Sequence, residues 1–136
     1  MDLPNAVEQS YLLVKPGIEQ LGGLTDAIGC IQEQGLQVTE VDRVCLCEQQ
    51  VRDLYPWRFE GEAEFAEEIL TYLCGRECVV IIASGEDCIN KIRRIKGKVW
   101  ESGLRLVYAD NFIHNAYHCP DSPEEFANEL SIILGY

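Results

Sequence analysis

Residues 78–83, Cys-Val-Val-Ile-Ile-Ala, are apolar at every position. A short apolar run rich in β-branched residues reads as a strand with both faces buried. Such a strand belongs inside a sheet, with other strands beside it and cover above and below. The rest of the chain has to supply those neighbours, and this limits the possible folds.

A second short buried strand is predicted at Ser10–Lys15, where Leu12, Leu13 and Val14 precede the turn residues Pro16-Gly17. Leu24, Ala27, Ile28 and Ile31 then recur at helical spacing, with Thr25 or Asp26 near the start and Gly35 placed to end the helix. Leu36–Cys47 alternates as a strand does, imperfectly in its middle. Gln49–Leu54 is a short helical stretch. Glu64–Leu73 is a clearer one, with Phe65, Ile69, Tyr72 and Leu73 on one face and Glu67 and Glu68 on the other. Asp87–Lys96 reads as a helix, Leu104–Tyr108 fits a strand or a helical turn, and Asn115–His118 reads as extended. Ser122-Pro123-Glu124-Glu125 starts a last helix, with proline at the first position and acids in the first turn, and Phe126, Ala127, Leu130 and Ile133 continue it to Gly135. Stripped of its extra helices, the order is βαββαβ. The expected fold is therefore α+β, a ferredoxin-like sandwich on a four-stranded antiparallel sheet with additional helices. The 136 residues are expected to form one domain, 1–136.

Composition narrows the function classes. At 47% hydrophobic and 25% charged the chain is globular in type. No apolar run approaches the roughly 18 residues of a membrane span. The start, Met-Asp-Leu-Pro-Asn, lacks the features of a signal peptide, so a cytoplasmic location is expected. The net charge of −12 argues against nucleic acid as a partner. Even so, five of the eleven bases (Lys91, Arg93, Arg94, Lys96 and Lys98) fall in eight residues, with Arg105 just beyond. The cluster fits either a local anionic ligand such as a phosphate or a solvated helix face. Seven cysteines cannot all pair with one another. Cys74 and Cys78 have the spacing of half a zinc site, but no second pair matches it. Reduced thiols and no bound metal are expected.

Two histidines stand in Asn111-Phe-Ile-His-Asn-Ala-Tyr-His118. A histidine in apolar surroundings is more often structural than functional. His118 differs in the residues that come after it: Asp121, Ser122, an acid-rich helix start and then Glu129. An imidazole oriented by a carboxylate can attack through one ring nitrogen while the other donates to the orienting group. Lys15, Arg93 and Arg105 are candidates to neutralise a transferring phosphoryl group.

These residues carry a resemblance. Tyr11-Leu-Leu-Val-Lys-Pro16 is similar to the first strand of the nucleoside diphosphate kinase family, which ends in Lys-Pro. Asn115-Ala-Tyr-His118, followed by Asp121-Ser122 and Glu129, is similar to that family's active-site signature. The resemblance extends over essentially the whole chain. It implies that His118 takes the γ-phosphoryl group of a nucleoside triphosphate and passes it to a nucleoside diphosphate, with Glu129 orienting the imidazole and Tyr55 near it. Lys15 would contact the sugar hydroxyl and the phosphates, and Asn115 the ribose. Arg93 and Arg105 would bind phosphate, Phe65 would stack on the base, and Ile69 would be its apolar neighbour. Val99 falls about where the family has a phosphate-binding threonine. Mg²⁺ would bridge the phosphates with little direct protein ligation. The family's habit of associating through its second strand and first helix implies a homo-oligomer, a dimer or larger.

The chain also departs from the pattern. Cys119-Pro120 stands where the family prefers Gly-Ser, which removes a hydroxyl that supports the glutamate contact. Val99 cannot hydrogen-bond a phosphate, the segment between Gly97 and Arg105 is short, and Gly17 replaces an aspartate. The usual C-terminal tail is missing from the given sequence. These features resemble the divergent branch of the family found in cilia and flagella, and they imply a ciliary or flagellar location and weakened binding or catalysis. Two rival readings stand beside the enzyme: a kinase-like module used as a structural or nucleotide-binding part of a larger assembly, and a small ferredoxin-like regulatory domain.

Overall fold

The structure is a computed structural model and describes residues 7–56 and 63–135. The N-terminal residues considered for a signal peptide lie outside that range. Seven residues, Glu8–Val14, form strand β1, and a short 3₁₀ turn, Glu19–Leu21, leads into helix α1, Gly23–Glu33. Strand β2 (Gln37–Cys45) is followed by helices α2 (Glu48–Leu54) and α3 (Ala63–Leu73), and then by strand β3 (Glu77–Gly85). Helices α4 (Cys88–Lys96) and α5 (Gly103–Tyr108), strand β4 (Tyr117–His118) and helix α6 (Pro123–Leu134) complete the order.

The four strands form one sheet in the order β2-β3-β1-β4, with every neighbouring pair antiparallel. The apolar run at 78–83 is thus interior, as its two apolar faces require. Alternation along the strands divides the core into two layers. Leu12, Val14, Val79 and Ile81 face α1, α4 and α5, where Ala27, Ile31, Ile92 and Leu104 meet them. Tyr11, Leu13, Val80 and Ile82 face α2, α3 and α6, where Val51, Ile69, Leu73 and Ile133 pack. The ferredoxin-like half is therefore covered on its second face by the additional helices.

Other expectations find a physical reason. The flaw in the alternation of the second strand is a bulge: the register shifts between Val38 and Glu40, and the Thr39 hydroxyl donates to the Ile82 carbonyl at 3.2 Å. Leu104–Tyr108, open between strand and helical turn, is helical, and only Leu104 among these residues is buried. The cysteines are free thiols, with Cys78, Cys88 and Cys119 buried and Cys45 and Cys47 exposed. Gly97 ends α4 with a φ of 72°, and a Cβ there would stand 2.1 Å from the Ser102 carbonyl oxygen. Only glycine lets the chain turn back so closely on the start of α5.

Candidate active site

His118 is brought to its place by the short strand β4, where it pairs with Leu13 of β1. Just beyond, Ser122 caps α6 by accepting the Glu125 N–H at 3.1 Å, with Pro123 at the first position of the helix. This fixes the direction of α6 and turns Glu129 back toward the sheet. The His118 Nε2 nitrogen donates to Glu129 Oε1 at 2.9 Å, with both residues buried. A carboxylate only accepts, so Nε2 carries the proton and Nδ1 keeps its lone pair. Burial lowers the His118 pKa, opposed by the Glu129 hydrogen bond and charge and reinforced by Lys15 and Lys96. The neutral, nucleophilic form is favoured.

A cavity of about 210 Å³ opens beside the ring. Lys15, at the end of β1, is 3% exposed and donates from Nζ to Asn115 Oδ1 at 2.5 Å. Its ammonium also lies 5.2 Å from the centre of the Tyr55 ring. The Asn115 amide donates in turn to the Phe112 carbonyl at 3.1 Å. Between Asn115 and β4, Ala116 adopts a φ of 73°, an uncommon conformation for a residue with a side chain. The edge of Tyr55 meets His118 with ring centres 5.0 Å apart. Arg105 lines the same cavity, anchored by two donations to the Tyr117 carbonyl at 3.2 and 2.8 Å. Ile69 lines it as well.

Three predicted site residues lie elsewhere. Arg93 is held by Asp121 at 3.1 Å and lines an adjoining cavity, which shares Lys96, Arg105 and Asp121 with the first. Val99 is buried and lines a neighbouring hollow with Trp100, which shares Arg105, Phe112 and Asn115 with the first cavity. Phe65 is 45% exposed and does not line the histidine cavity. His114 stacks on Tyr72 with ring centres 4.3 Å apart and meets Glu68 at 3.1 Å, so it too is outside the cavity.

Two residues at the site were not singled out by sequence reasoning. Lys96, the last residue of α4, lines the cavity, and its place in the basic cluster was the available signal. Tyr11, on β1, donates from its hydroxyl to Glu129 Oε1 at 2.5 Å. Cys119 also lines the cavity, but burial pushes its thiol up to about 11, which keeps it un-ionised beside the histidine.

A buried histidine with one nitrogen held by a carboxylate, among fixed cations on a ferredoxin-like sheet, has the build of an α+β kinase domain. The chain belongs to the nucleoside diphosphate kinase family, whose model matches residues 8–135. Relatives named nucleoside diphosphate kinase include one from Nitratidesulfovibrio vulgaris, strain DP4, 28% identical over 130 residues and covering 92% of each chain. Another, from Persephonella marina, is 28% identical over 130 residues, covering 92% of this chain and 91% of its own. The fold matches the Aquifex aeolicus nucleoside diphosphate kinase structure with a TM-score of 0.79 at 24% identity, over 94% of this chain and 95% of that one. It also matches the Encephalitozoon cuniculi enzyme with a TM-score of 0.82 at 16% identity, over 95% and 90%. Among the described residues no helix is long and apolar enough to cross a membrane.

Proposed function

We propose that this chain is an active nucleoside diphosphate kinase that works through a phosphohistidine at His118. The observation that carries the reading is the His118–Glu129 hydrogen bond at 2.9 Å, which occupies Nε2 and leaves Nδ1 as the nucleophile. Nδ1 attacks the γ-phosphorus of a nucleoside triphosphate, and the bond to the bridging oxygen breaks, releasing the diphosphate. A second diphosphate then takes the group by the reverse step. Lys15, Lys96 and Arg105 supply positive charge around the moving phosphoryl group in a partly enclosed site, where fixed charges act more strongly than in open water. Arg93 reaches phosphate from the adjoining cavity only by exchanging Asp121 for it. Lys15 and Asn115, already joined, serve the sugar, while Ile69 gives the base an apolar wall and Phe65 stacks from the exposed side.

A magnesium ion fits the donor set as a passenger on the nucleotide. Asp121 and Glu125 offer carboxylates at the cavity, and no group of three or more His, Cys, Asp or Glu side chains could hold an ion by itself among the described residues. When bound, the ion would neutralise part of the charge on the phosphates. The association we propose is a homo-oligomer built on β2 and α1, since β2 is an edge strand with Val41 exposed. Cys119-Pro120 and the short segment after Gly97 are the grounds for placing the chain in the ciliary and flagellar branch and, within the cytoplasm, at those organelles. Imaging of a tagged chain tests that location.

Incubation with γ-labelled ATP and Mg²⁺ tests the activity. An acid-labile, alkali-stable label that is discharged by a nucleoside diphosphate and absent from His118→Ala is expected. Binding of nucleotide with no label would leave a kinase-like binding module instead.

A further inference from the structure

Glu129 has more than the imidazole to hold it. Tyr11 donates to Oε1 at 2.5 Å, and His118 donates to the same oxygen at 2.9 Å. Tyr11 is wholly buried on β1, two residues before Leu13, the residue that pairs with His118. Its ring lies 6.2 Å from the His118 ring and 6.4 Å from that of Phe126 on α6, centre to centre. The phenol is thus fixed by the sheet on one side and by the glutamate's own helix on the other. Burial first, and then the Glu129 charge, raise the Tyr11 pKa, so the group stays protonated and remains a donor. Pro120, close after the histidine, has neither a hydroxyl nor an N–H to offer the carboxylate.

We infer that Tyr11 is a positioning residue of this site: its hydroxyl locks the Glu129 carboxylate in the orientation that holds His118 Nε2–H and turns Nδ1 to the phosphoryl donor. The inference rests on the phosphohistidine reading above. When the P–N bond forms at Nδ1, the electron pair of the broken P–O bond leaves with the departing diphosphate oxygen. The Nε2 proton stays where it is, and Glu129 balances the charge that develops on the ring. Tyr11 gives up no proton and touches no substrate, so its removal acts on the rate and spares nucleotide binding.

The test compares wild type with Tyr11→Phe, which keeps the ring and removes only the hydroxyl, and with 3-fluorotyrosine at position 11, which keeps the donor. Two readouts are used: steady-state kcat and KM, and phosphorylation of His118 by phosphoramidate, a small donor that needs no nucleotide site. Loss of a hydrogen bond to a charged group should slow kcat and the phosphoramidate reaction about tenfold, with KM changed less than about twofold. The fluorotyrosine protein should keep the wild-type rates. An unchanged phosphoramidate rate in Tyr11→Phe overturns the inference, and so does a loss confined to KM or an equal loss in the fluorotyrosine protein. A wild type that reacts with phosphoramidate but not with ATP sinks the kinase activity alone, and a slower Tyr11→Phe would then still support the positioning role. A wild type inert to both donors overturns both.

Discussion

The Arg93 guanidinium and the Asp121 carboxylate meet at 3.1 Å on the rim between the two cavities, both about half exposed. Arg105, by contrast, lines the histidine cavity and is half-buried there, with its fork tied to the Tyr117 carbonyl. The two arginines therefore differ in what a phosphate gains from them. Arg105→Ala should weaken ADP binding tenfold or more, as expected for a charge-assisted bond of about 1.5–3 kcal/mol. Arg93→Ala should cost less than about threefold, because phosphate must first displace Asp121 from an exposed pair. Calorimetric titration of ADP ranks the two, and equal losses would contradict the distinction.

His118→Ala should abolish phosphoenzyme formation while the fold persists, because the ring sits at a cavity wall. His114→Ala should cost at most a modest loss, since that ring is engaged by Tyr72 and Glu68. Labelling assays on the two variants, with circular dichroism as the check on folding, decide this. Similar residual labelling in both would misplace the nucleophile.

The depressed His118 pKa has a signed consequence for pH. Burial is the largest cause, so the folded protein protonates this ring only below the ordinary histidine value of about 6.5. The rate of phosphoenzyme formation should hold level as pH falls through 6.5 and decline only below it. Stability moves with it: the unfolded chain takes up the proton first, so this group's contribution is complete above about 6.5 and is lost as pH falls toward the folded value. Rapid-quench labelling across pH measures the first effect, and an acid limb at or above 6.5 would contradict it.

Pro120→Ser alone should change turnover by less than about twofold. The Glu129 oxygen nearest the histidine already accepts from two donors, so a third donor has little left to improve. Steady-state kinetics settles this, and a rise of several-fold would mean that Glu129 is poorly held in the wild type.

Gly97→Ala should destabilise the fold by about 2 kcal/mol or more. The added Cβ would need room 2.1 Å from the Ser102 carbonyl oxygen, in a backbone conformation that disfavours a side chain. Urea unfolding gives the value. The same change should disturb Lys96, its neighbour at the cavity.

Much of this architecture was legible in the sequence because it follows local rules. The double-faced apolar strand had to be central, and Ser122-Pro123 had to start a helix. His118 and Glu129 were readable as a pair because β4 and α6 are close neighbours in the chain. Tyr11 was not readable as part of the site: its partner is 118 positions away, and on a buried strand a tyrosine passes for core. Lys96 was one base among several, and which of them faces the cavity depends on the phase of α4 and on the sharp turn at Gly97. Arg93 illustrates the reverse, since its position in a motif does not reveal that Asp121 holds it. Leu104–Tyr108 carried apolar residues at spacings that fit either period, and only packing against α1 and α4 resolves it.

The pairing of Leu13 with His118 also gives the site a parity. Side chains alternate across a sheet, so His118 shares its face with Leu13 and Tyr11, while Tyr117, opposite Val14, falls to the other side. Even and odd positions of β4 thus address different layers of the molecule, one holding Glu129 and one holding α1. A single residue added to or removed from the two-residue strand would exchange them, delivering a tyrosine to the carboxylate and sending the imidazole into the opposite core. In this chain, counting along an edge strand decides which side chain faces the cavity.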